Sequence, residues 1–402
     1  MSSLTGKRIL IGVGGGIAAY KSAELARALQ RAGAEVRAVL TEGGSQFITP
    51  LTLQALTGER VGTSLFDAGA EYEIGHIELA RWADVVVVAP ATADLIARMR
   101  AGMANDLLTT VLLATTAEVL VCPAMNTQMY LHPATAENLS ALAGRRRHTV
   151  LDPDRGVLAC GEEGAGRLPD ANVIVAWVER LAHSRPLQGR HVVVTAGPTR
   201  EHFDPVRFLS NPSSGKMGYA VAAAAFAAGA DVTLISGPVA LAAPPGVTVV
   251  PVETAAQMHE AVFEAVADIL VMAAAVADYK PAELHAHKLK KSDEDWMLRM
   301  ERTVDILAAL ANDPRRPRTV VGFAAETDEP AERGREKMRR KKLDGIVTNS
   351  VATISSAFGS DTNTVTLIGA DGIEQIVGPA PKREVADAIV AWLPALEARL
   401  GR

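Results

Sequence analysis

The chain has 402 residues, 48% of them hydrophobic and 22% charged, with 33 Gly and 21 Pro. This excludes disorder as the main theme and gives enough length for two domains, each with its own core. The 41 Lys and Arg against 46 Asp and Glu leave a net charge of -5, which gives no electrostatic footprint for nonspecific nucleic-acid binding. Two cysteines, Cys122 and Cys160, form neither a disulfide framework nor a zinc spacing, as expected of a reducing, cytoplasmic setting.

Lys7 and Arg8 precede the apolar run Ile9 to Tyr20 much as a charged region precedes a signal-peptide core, but four glycines interrupt the run. The longest membrane-span candidates, Ala220 to Ala228 and Ile269 to Ala277, are nine residues each, against the roughly 18 to 20 that a span needs. The protein is therefore expected to be neither secreted nor membrane-spanning.

In chain order, Ile9 to Val13 is an apolar run ending in glycines. Ala18, Leu25, Ala26 and Leu29 then recur at helical spacing until Gly33, and Val36 to Leu40 resumes as a strand. Val85 to Ala89 and Val119 to Cys122 are continuous apolar runs of the kind buried in parallel sheets. A helix from Ala171 to Ala182 is broken by the Pro- and Gly-containing stretch 183–189, which places the boundary near Pro186. The same grammar restarts with Val192 to Thr195, a small-residue helix from Gly218 to Ala228 stopped by Gly229, and Val232 to Ile235. Further strands are expected at Ile269 to Ala274, Val320 to Phe323, Ile346 to Thr348 and Val365 to Ile368, with a closing helix from Arg383 to Leu400. The predicted fold is α/β: two doubly wound domains of Rossmann or flavodoxin-like type with mostly parallel sheets, residues 1–186 and 187–402.

Gly12-Val13-Gly14-Gly15-Gly16 lies at a strand's C-terminal end, where backbone N–H groups can receive a phosphate. A tight turn with no ligand is an equally open reading of the glycines alone. The dinucleotide fingerprint is incomplete, because Ile17 stands at its third Gly and Thr41 where an acidic residue should close the second strand. Ala89-Pro90-Ala91-Thr92-Ala93-Asp94 and Cys122-Pro123-Ala124-Met125-Asn126 bring small and polar residues to two more strand ends, so a site is expected at that edge.

These runs, with Gly14 to Lys21, Gly75-His76-Ile77-Glu78-Leu79, and Ala159-Cys160-Gly161 with Gly166-Arg167, resemble the flavin-dependent phosphopantothenoylcysteine decarboxylases. The resemblance implies an FMN site held by Gly14, Gly15, Thr41, Phe47, Thr92, Asp94, Ala124 and Met129. It implies His76 as the base, Asn126 as the holder of the substrate carboxylate, and Cys160 as proton donor for the reductive half. A histidine's ordinary pKa near 6.5 suits a base near neutrality. Met129 is equally open to a gap-filling role, and Cys122, closing an apolar strand, is read as an inert thiol. The glycines around Cys160 suggest a mobile covering segment. Gly14 stands where many members have Ser, a contact to the FMN phosphate that backbone amides and Thr41 are expected to replace.

In the second half, Ser213-Ser214-Gly215-Lys216-Met217-Gly218 is not a Walker A loop, since no Gly lies five positions before the Gly-Lys pair and Met follows the Lys. Its lead into a helix makes an anion-binding turn. The basic runs His287 to Lys291 and Arg335 to Lys342 are either solvated faces or a setting for a polyanionic substrate. Thr195 to Glu201, Asp204-Pro205-Val206-Arg207, Ser210-Asn211, Ala273 to Tyr279, Lys288 to Lys291 and Gly322 to Thr327 resemble the phosphopantothenate–cysteine ligase domain fused behind the decarboxylase in bacteria.

That resemblance implies CTP, used with Mg2+, held by Ala273, Ala274, Asp278, Lys288, Val304, Asp305, Ile306, Phe323, Lys337 and Lys341. Asn211 and Arg207 serve the acyl side, and Lys288 the developing phosphate charge. Val304 replaces a Pro common in the family and is expected to loosen its turn. The implied substrates are 4'-phosphopantothenate, L-cysteine and CTP, in a trimer-based, dodecameric homo-oligomer. A flavin-containing regulatory protein and a nicotinamide oxidoreductase stand as alternatives, the latter lacking its fingerprint.

Overall fold

Seven consecutive residues of Val85–Ala91 are buried, because a strand hydrogen-bonded on both edges and covered by helices on both faces meets no water. Its side chains alternate. Val85, Val87 and Ala89 join one apolar cluster, while Val86, Val88 and Ala91 join another on the opposite face. Each fully buried valine contributes on the order of 1.5–3 kcal/mol by transfer from water. The computed structural model describes residues 3–66, 75–159, 161–290, 296–326, 329–350 and 360–402. They form two compact units, Met1–His183 and Ser184–Arg402.

In the first unit, β1 (Arg8–Val13), β2 (Glu35–Leu40), β3 (Val85–Ala91), β4 (Glu118–Pro123) and β5 (His148–Val150) make one sheet in the order β2-β1-β3-β4-β5. All its pairings are parallel. The order turns back between β1 and β3, the switch point where doubly wound sheets open a crevice. A hairpin, β6 (Asp154–Val157) with β7 (Glu163–Arg167), follows the sheet. The expected first helix is found as a 3-10 turn, Ile17–Lys21, running into the helix Ser22–Arg31. Gly33 ends it at φ +95°, a backbone that side-chain-bearing residues resist.

In the second unit β8 (His191–Ala196) begins the sheet, and β9 (Arg200–His202) pairs with β10 (Phe208–Ser210) beside it. Then come β11 (Asp231–Ser236), β12 (Thr248–Pro251), β13 (Ile269–Met272), the small pair β14 (Tyr279–Pro281) and β15 (Met300–Arg302), β16 (Thr319–Glu326), β17 (Gly345–Ser350), β18 (Thr362–Gly369) and β19 (Glu374–Pro381). The main sheet runs β12-β11-β8-β13-β16-β17-β18-β19, parallel up to β17 and antiparallel at β18 and β19. β13 stops two residues before its expected end. Ala274 N–H leaves the ladder to donate to Thr195 Oγ1 at 3.1 Å, and Ala275 N–H donates to Gly197 O at 2.9 Å.

Because each unit has its own sheet and buried clusters, Met1–His183 and Ser184–Arg402 made as separate polypeptides should each melt cooperatively. Thermal melts followed by circular dichroism check this, and a fragment without a transition would show that its core needs the other half.

Candidate functional site

The C-terminal ends of β1, β2, β3 and β4 open onto one cavity of about 990 Å3. Its floor depends on missing side chains: a Cβ at Gly15 would stand 2.7 Å from the Gly43 backbone, and one at Gly14 would stand 2.5 Å from Pro90 O. The Ser that many members of the resembled family carry at position 14 therefore has no room here. Thr41 is not its replacement either, because its hydroxyl donates to Val13 O at 3.0 Å and accepts from Gly44 N–H at 3.0 Å. With its one proton committed, it has none left for a phosphate oxygen. Thr92 caps the helix Ala93–Ala101 by accepting from Leu95 N–H at 3.3 Å.

Thr92, Asp94, Ala124, Asn126 and Met129 line the cavity together with Thr41 and Gly15. Phe47, 46% exposed, stands outside its lining. Sequence reasoning missed Arg98, Asn105 and Asp106, which also line it. Arg98 pairs with Asp94 at 3.0 Å and with Asp106, so a cation carried one helical turn beyond Asp94 arrives at the same mouth. The capping pattern Asn105-Asp106 before an apolar run was the available signal; Asp106 caps the helix Leu107–Ala114.

Asn126 uses both ends of its amide. Oδ1 accepts from Gln128 N–H at 2.8 Å, starting the helix Thr127–Leu131, and Nδ2 donates to Glu162 Oε2 at 3.0 Å. The β6–β7 hairpin is further tied to this loop: Met125 N–H donates to Gly166 O at 3.0 Å, and Thr127 Oγ1 donates to Ala165 O at 2.9 Å. Two of the glycines expected to confer mobility, Gly164 and Gly166, have another explanation. A Cβ at Gly166 would meet Met125 O at 2.1 Å and one at Gly164 would meet Thr127 Oγ1 at 2.4 Å, so they permit close packing. Cys160 lies outside the described residues, but its neighbour Ala159 lines the cavity. Cys122 is fully buried, and burial pushes its thiol pKa well above the ordinary value, as an inert core thiol requires. His76, on the helix Gly75–Trp82, lines a different cavity of about 570 Å3 with Arg37, Glu59 and Phe66. Within one chain it is not brought to Asn126.

In the second unit a cavity of about 450 Å3 gathers Ala274, Asp278, Val304, Asp305, Ile306, Phe323, Lys337 and Lys341. Asp305 caps the helix Ile306–Leu310 and pairs with Lys341 at 2.8 Å. Burial opposes the charge on Asp305, but Lys341 and the Ala308 amide overcome it and hold the carboxyl below its ordinary range. Lys337 Nζ donates to Phe323 O at 2.8 Å. The turn at Val304 is not loose: Thr303 N–H donates to Asp278 O at 3.0 Å and Thr303 Oγ1 to Ala277 O at 2.6 Å, just before the Asp305 cap. A neighbouring cavity of about 510 Å3 shares Ala274, Asp278, Phe323 and Lys337 and adds Ala273 and Asn211. Asn211 Nδ2 donates to Val276 O at 3.0 Å.

Lys288 lies on an exposed loop outside the linings of both cavities, and Lys291 and Thr327 fall outside the described residues. Arg207, expected on the acyl side, is instead committed to a clamp. It grips the fully buried Asp204 at 2.7 and 3.0 Å and donates to Leu289 O at 2.7 Å. Asp204 in turn accepts from Leu289 N–H at 3.2 Å and from the amides of Val206 and Arg207, both at 2.8 Å. Both backbone groups of the residue after Lys288 are thereby held. Burial works to raise the Asp204 carboxyl, yet these amides and the guanidinium hold it well below the ordinary range.

Residues 1–183 match the family described as Flavoprotein, and residues 187–396 match the DNA/pantothenate metabolism flavoprotein C-terminal domain. The chain is 50% identical over 378 residues to the Coenzyme A biosynthesis bifunctional protein CoaBC of Escherichia coli strain K12, covering 92% of each chain. It is 45% identical over 404 residues to that of Bacillus subtilis strain 168, covering 99% of each. A crystal structure of the C-terminal domain of a Coenzyme A biosynthesis bifunctional protein CoaBC is 41% identical, covering 54% of this chain and 99% of that one at a TM-score of 0.45. The fold and site are those of an α/β flavoprotein joined to a second doubly wound domain. The chain belongs to the family of bifunctional coenzyme A biosynthesis proteins, which removes the nicotinamide and regulatory alternatives.

The clamp has a pH signature. A carboxylate whose folded pKa is depressed adds stability that is fully present above its unfolded value, near 3.9, and is lost as pH falls through the folded value. Asp204→Asn should therefore lower the melting temperature of the second unit at pH 7, and the gap to wild type should close progressively below about pH 4. Calorimetric melts across that range check it; equal melting temperatures at pH 7 would show that the clamp does not stabilise the fold.

Proposed function

We propose that residues 187–402 join 4'-phosphopantothenate to L-cysteine using CTP through an acyl-cytidylate, and that residues 1–186 decarboxylate the resulting 4'-phosphopantothenoylcysteine to 4'-phosphopantetheine with FMN. The observation that supports this reading is that each family-matched half opens a cavity at the C-terminal edge of its own mostly parallel sheet, lined by part of its expected set: Gly15, Thr92, Asp94, Ala124, Asn126 and Met129 in the first half, and Asp278, Val304, Asp305, Ile306, Phe323, Lys337 and Lys341 in the second.

The first cavity fits FMN: its volume lies in the range of cofactor sites, about 300–1,000 Å3, and its floor is backbone that no side chain obstructs. Bound there, FMN supplies the two-electron oxidation of the thiol-bearing carbon that eases carboxylate loss, and afterwards the electrons for the final reduction. Gly15, Thr92, Asp94, Ala124 and Met129, which line the cavity, would hold it, with Gly14 in the turn just before them and Arg98 at the mouth between Asp94 and Asp106. Asn126 offers the substrate carboxylate a neutral N–H donor, which orients it without the full charge that would oppose departure of CO2. Glu162 occupies that donor in the structure, so a substrate carboxylate takes the place of a protein one.

His76 accepts the proton of the first oxidation. Since one chain holds it in a separate cavity, this reading requires a homo-oligomer, trimer-based, in which a second copy presents it. Cys160 donates the proton of the reductive half.

In the second unit the nucleotide lies against Asp278, Phe323, Lys337, Lys341 and residues 304–306. Lys288 meets charge growing on the α-phosphate, its loop steadied by Asp204 and Arg207. Mg2+ accompanies the triphosphate. No helix among the described residues is long and apolar enough to cross a membrane, and the reading places both reactions in the cytoplasm, with small-molecule substrates and no nucleic acid.

A coupled assay with phosphopantothenate, cysteine and either CTP or ATP, followed for pyrophosphate and CO2, tests both halves. Lys288→Gln should lower pyrophosphate release on the order of 10² to 10³-fold, by analogy with loss of one transition-state donor, and leave decarboxylation of supplied phosphopantothenoylcysteine near wild type. Cys160→Ser should still release CO2 and accumulate the oxidised enethiol product. Full conversion to phosphopantetheine by that variant would remove Cys160 from the chemistry, and joint loss of both activities in Lys288→Gln would remove the independence of the two sites.

A further inference from the structure

The chain leaves β14 after Pro281 and re-enters the ladder at β15, with Ala282 N–H donating to Arg299 O at 2.9 Å across the base of the excursion. Its outgoing limb carries Lys288. This limb is gripped by the turn between β9 and β10, which Phe203 N–H closes on Arg207 O at 3.2 Å. His285 N–H donates to Phe203 O at 2.9 Å, while Asp204 and Arg207 hold the N–H and the carbonyl of Leu289.

The return limb meets the same turn through a ring. Trp296 packs edge-on against Phe203, with ring centroids 5.1 Å apart and planes at 71°. The Arg207 guanidinium carbon lies 5.0 Å from the Trp296 centroid and 5.5 Å from that of Phe203. Trp296 is 51% exposed and its neighbour Met297 94%, so the limb is anchored here by one side chain and not by an apolar face. The Arg207 side chain is 38% exposed, and at such a surface a hydrogen bond from guanidinium to carbonyl competes with water for both partners. An indole ring against the cation attracts it through the ring quadrupole and covers part of it from solvent. It also ties both limbs to one group, so that opening either limb disturbs the contacts of the other.

We propose that Trp296 is a positioning residue for the ligase reaction: by covering Arg207 it holds the backbone of Leu289, and thereby fixes the root of the Lys288 side chain. The proposal rests on the role given to Lys288 above. A lysine stem is long and flexible, and if its backbone is loose as well the ammonium spends less time where phosphate charge grows. Trp296 lies outside the linings of both cavities of this unit, so its loss should act on turnover and not on nucleotide affinity.

Steady-state pyrophosphate release by the full chain tests this. Trp296→Ala should lower kcat about three- to tenfold, as loss of one half-exposed cation–π contact implies, and leave KM for CTP near the wild-type value. Trp296→Phe, which keeps a ring, should recover most of the loss. In a Lys288→Gln background Trp296→Ala should cost nothing further, since the two changes remove the same contribution. Tryptic cleavage after Lys288 and Lys290 reads the limb directly, and should be faster in Trp296→Ala than in wild type and near wild type in Trp296→Phe. Melting temperatures report whether Trp296→Ala folds; if it does not, Trp296→Leu, apolar but without a ring, takes its place. The proposal is overturned if phenylalanine fails to rescue, if KM for CTP rises in place of a fall in kcat, if cleavage is unchanged, or if the loss persists undiminished beside Lys288→Gln. A wild-type rate in Lys288→Gln withdraws the role of that lysine and the proposal with it, whereas a wild-type rate in Trp296→Ala beside an impaired Lys288→Gln removes the proposal alone.

Discussion

Parallel pairing is the constraint on which the rest of the molecule depends. A parallel neighbour can be reached only by a crossover that returns the chain to the same starting edge, so β1 to β4 all release their following loops at one edge. That is why residues as distant in sequence as Gly15, Thr41, Thr92 and Asn126 share one cavity. The same constraint accounts for the continuous apolar runs, since a sheet whose crossovers cover both faces leaves its strands no wet side.

The second unit obeys this rule up to β17 and then departs from it, because β18 and β19 return antiparallel and need no crossover. Its sites are organised more by ionic contacts than by glycine. Asp204 with Arg207 and Asp305 with Lys341 each fix a segment that carries or adjoins a candidate binding residue. Burying Asp204 is tolerable only because five donor contacts, from three amides and two guanidinium nitrogens, surround it. Removing one donor would leave a charge that the interior cannot solvate.

How much was legible in the sequence follows from the same physics. The buried strands could be read because burial on both faces writes itself as Val85 to Ala89 or Ile269 to Met272. The β6–β7 hairpin and β19 could not, being mostly exposed and carrying Gly or Pro instead of apolar alternation; their pairing is decided by tertiary contacts. In the candidate site, residues beside strand ends were accessible to motif reasoning. Arg98 was not, because it reaches the cavity mouth from within a helix. The role of Thr41 was misjudged because residue type reveals a hydroxyl but not whether its proton is already given away. The Arg207 clamp was invisible for a similar reason, its partner Leu289 O being a backbone atom 82 positions away.

The bonds of Asn126 to Gln128 and Glu162 also settle which way round its amide sits. The carbonyl end must face the helix it starts, since only an oxygen can receive the Gln128 N–H, and the nitrogen end is thereby turned towards Glu162. Helix initiation and ligand polarity are thus written into a single rotamer. An aspartate there could still start the helix, but it would turn an acceptor towards Glu162 in place of the amide donor. Under the carboxylate-holding role proposed for Asn126, preserving the fold at this position therefore does not preserve the selectivity, and the two can be lost separately.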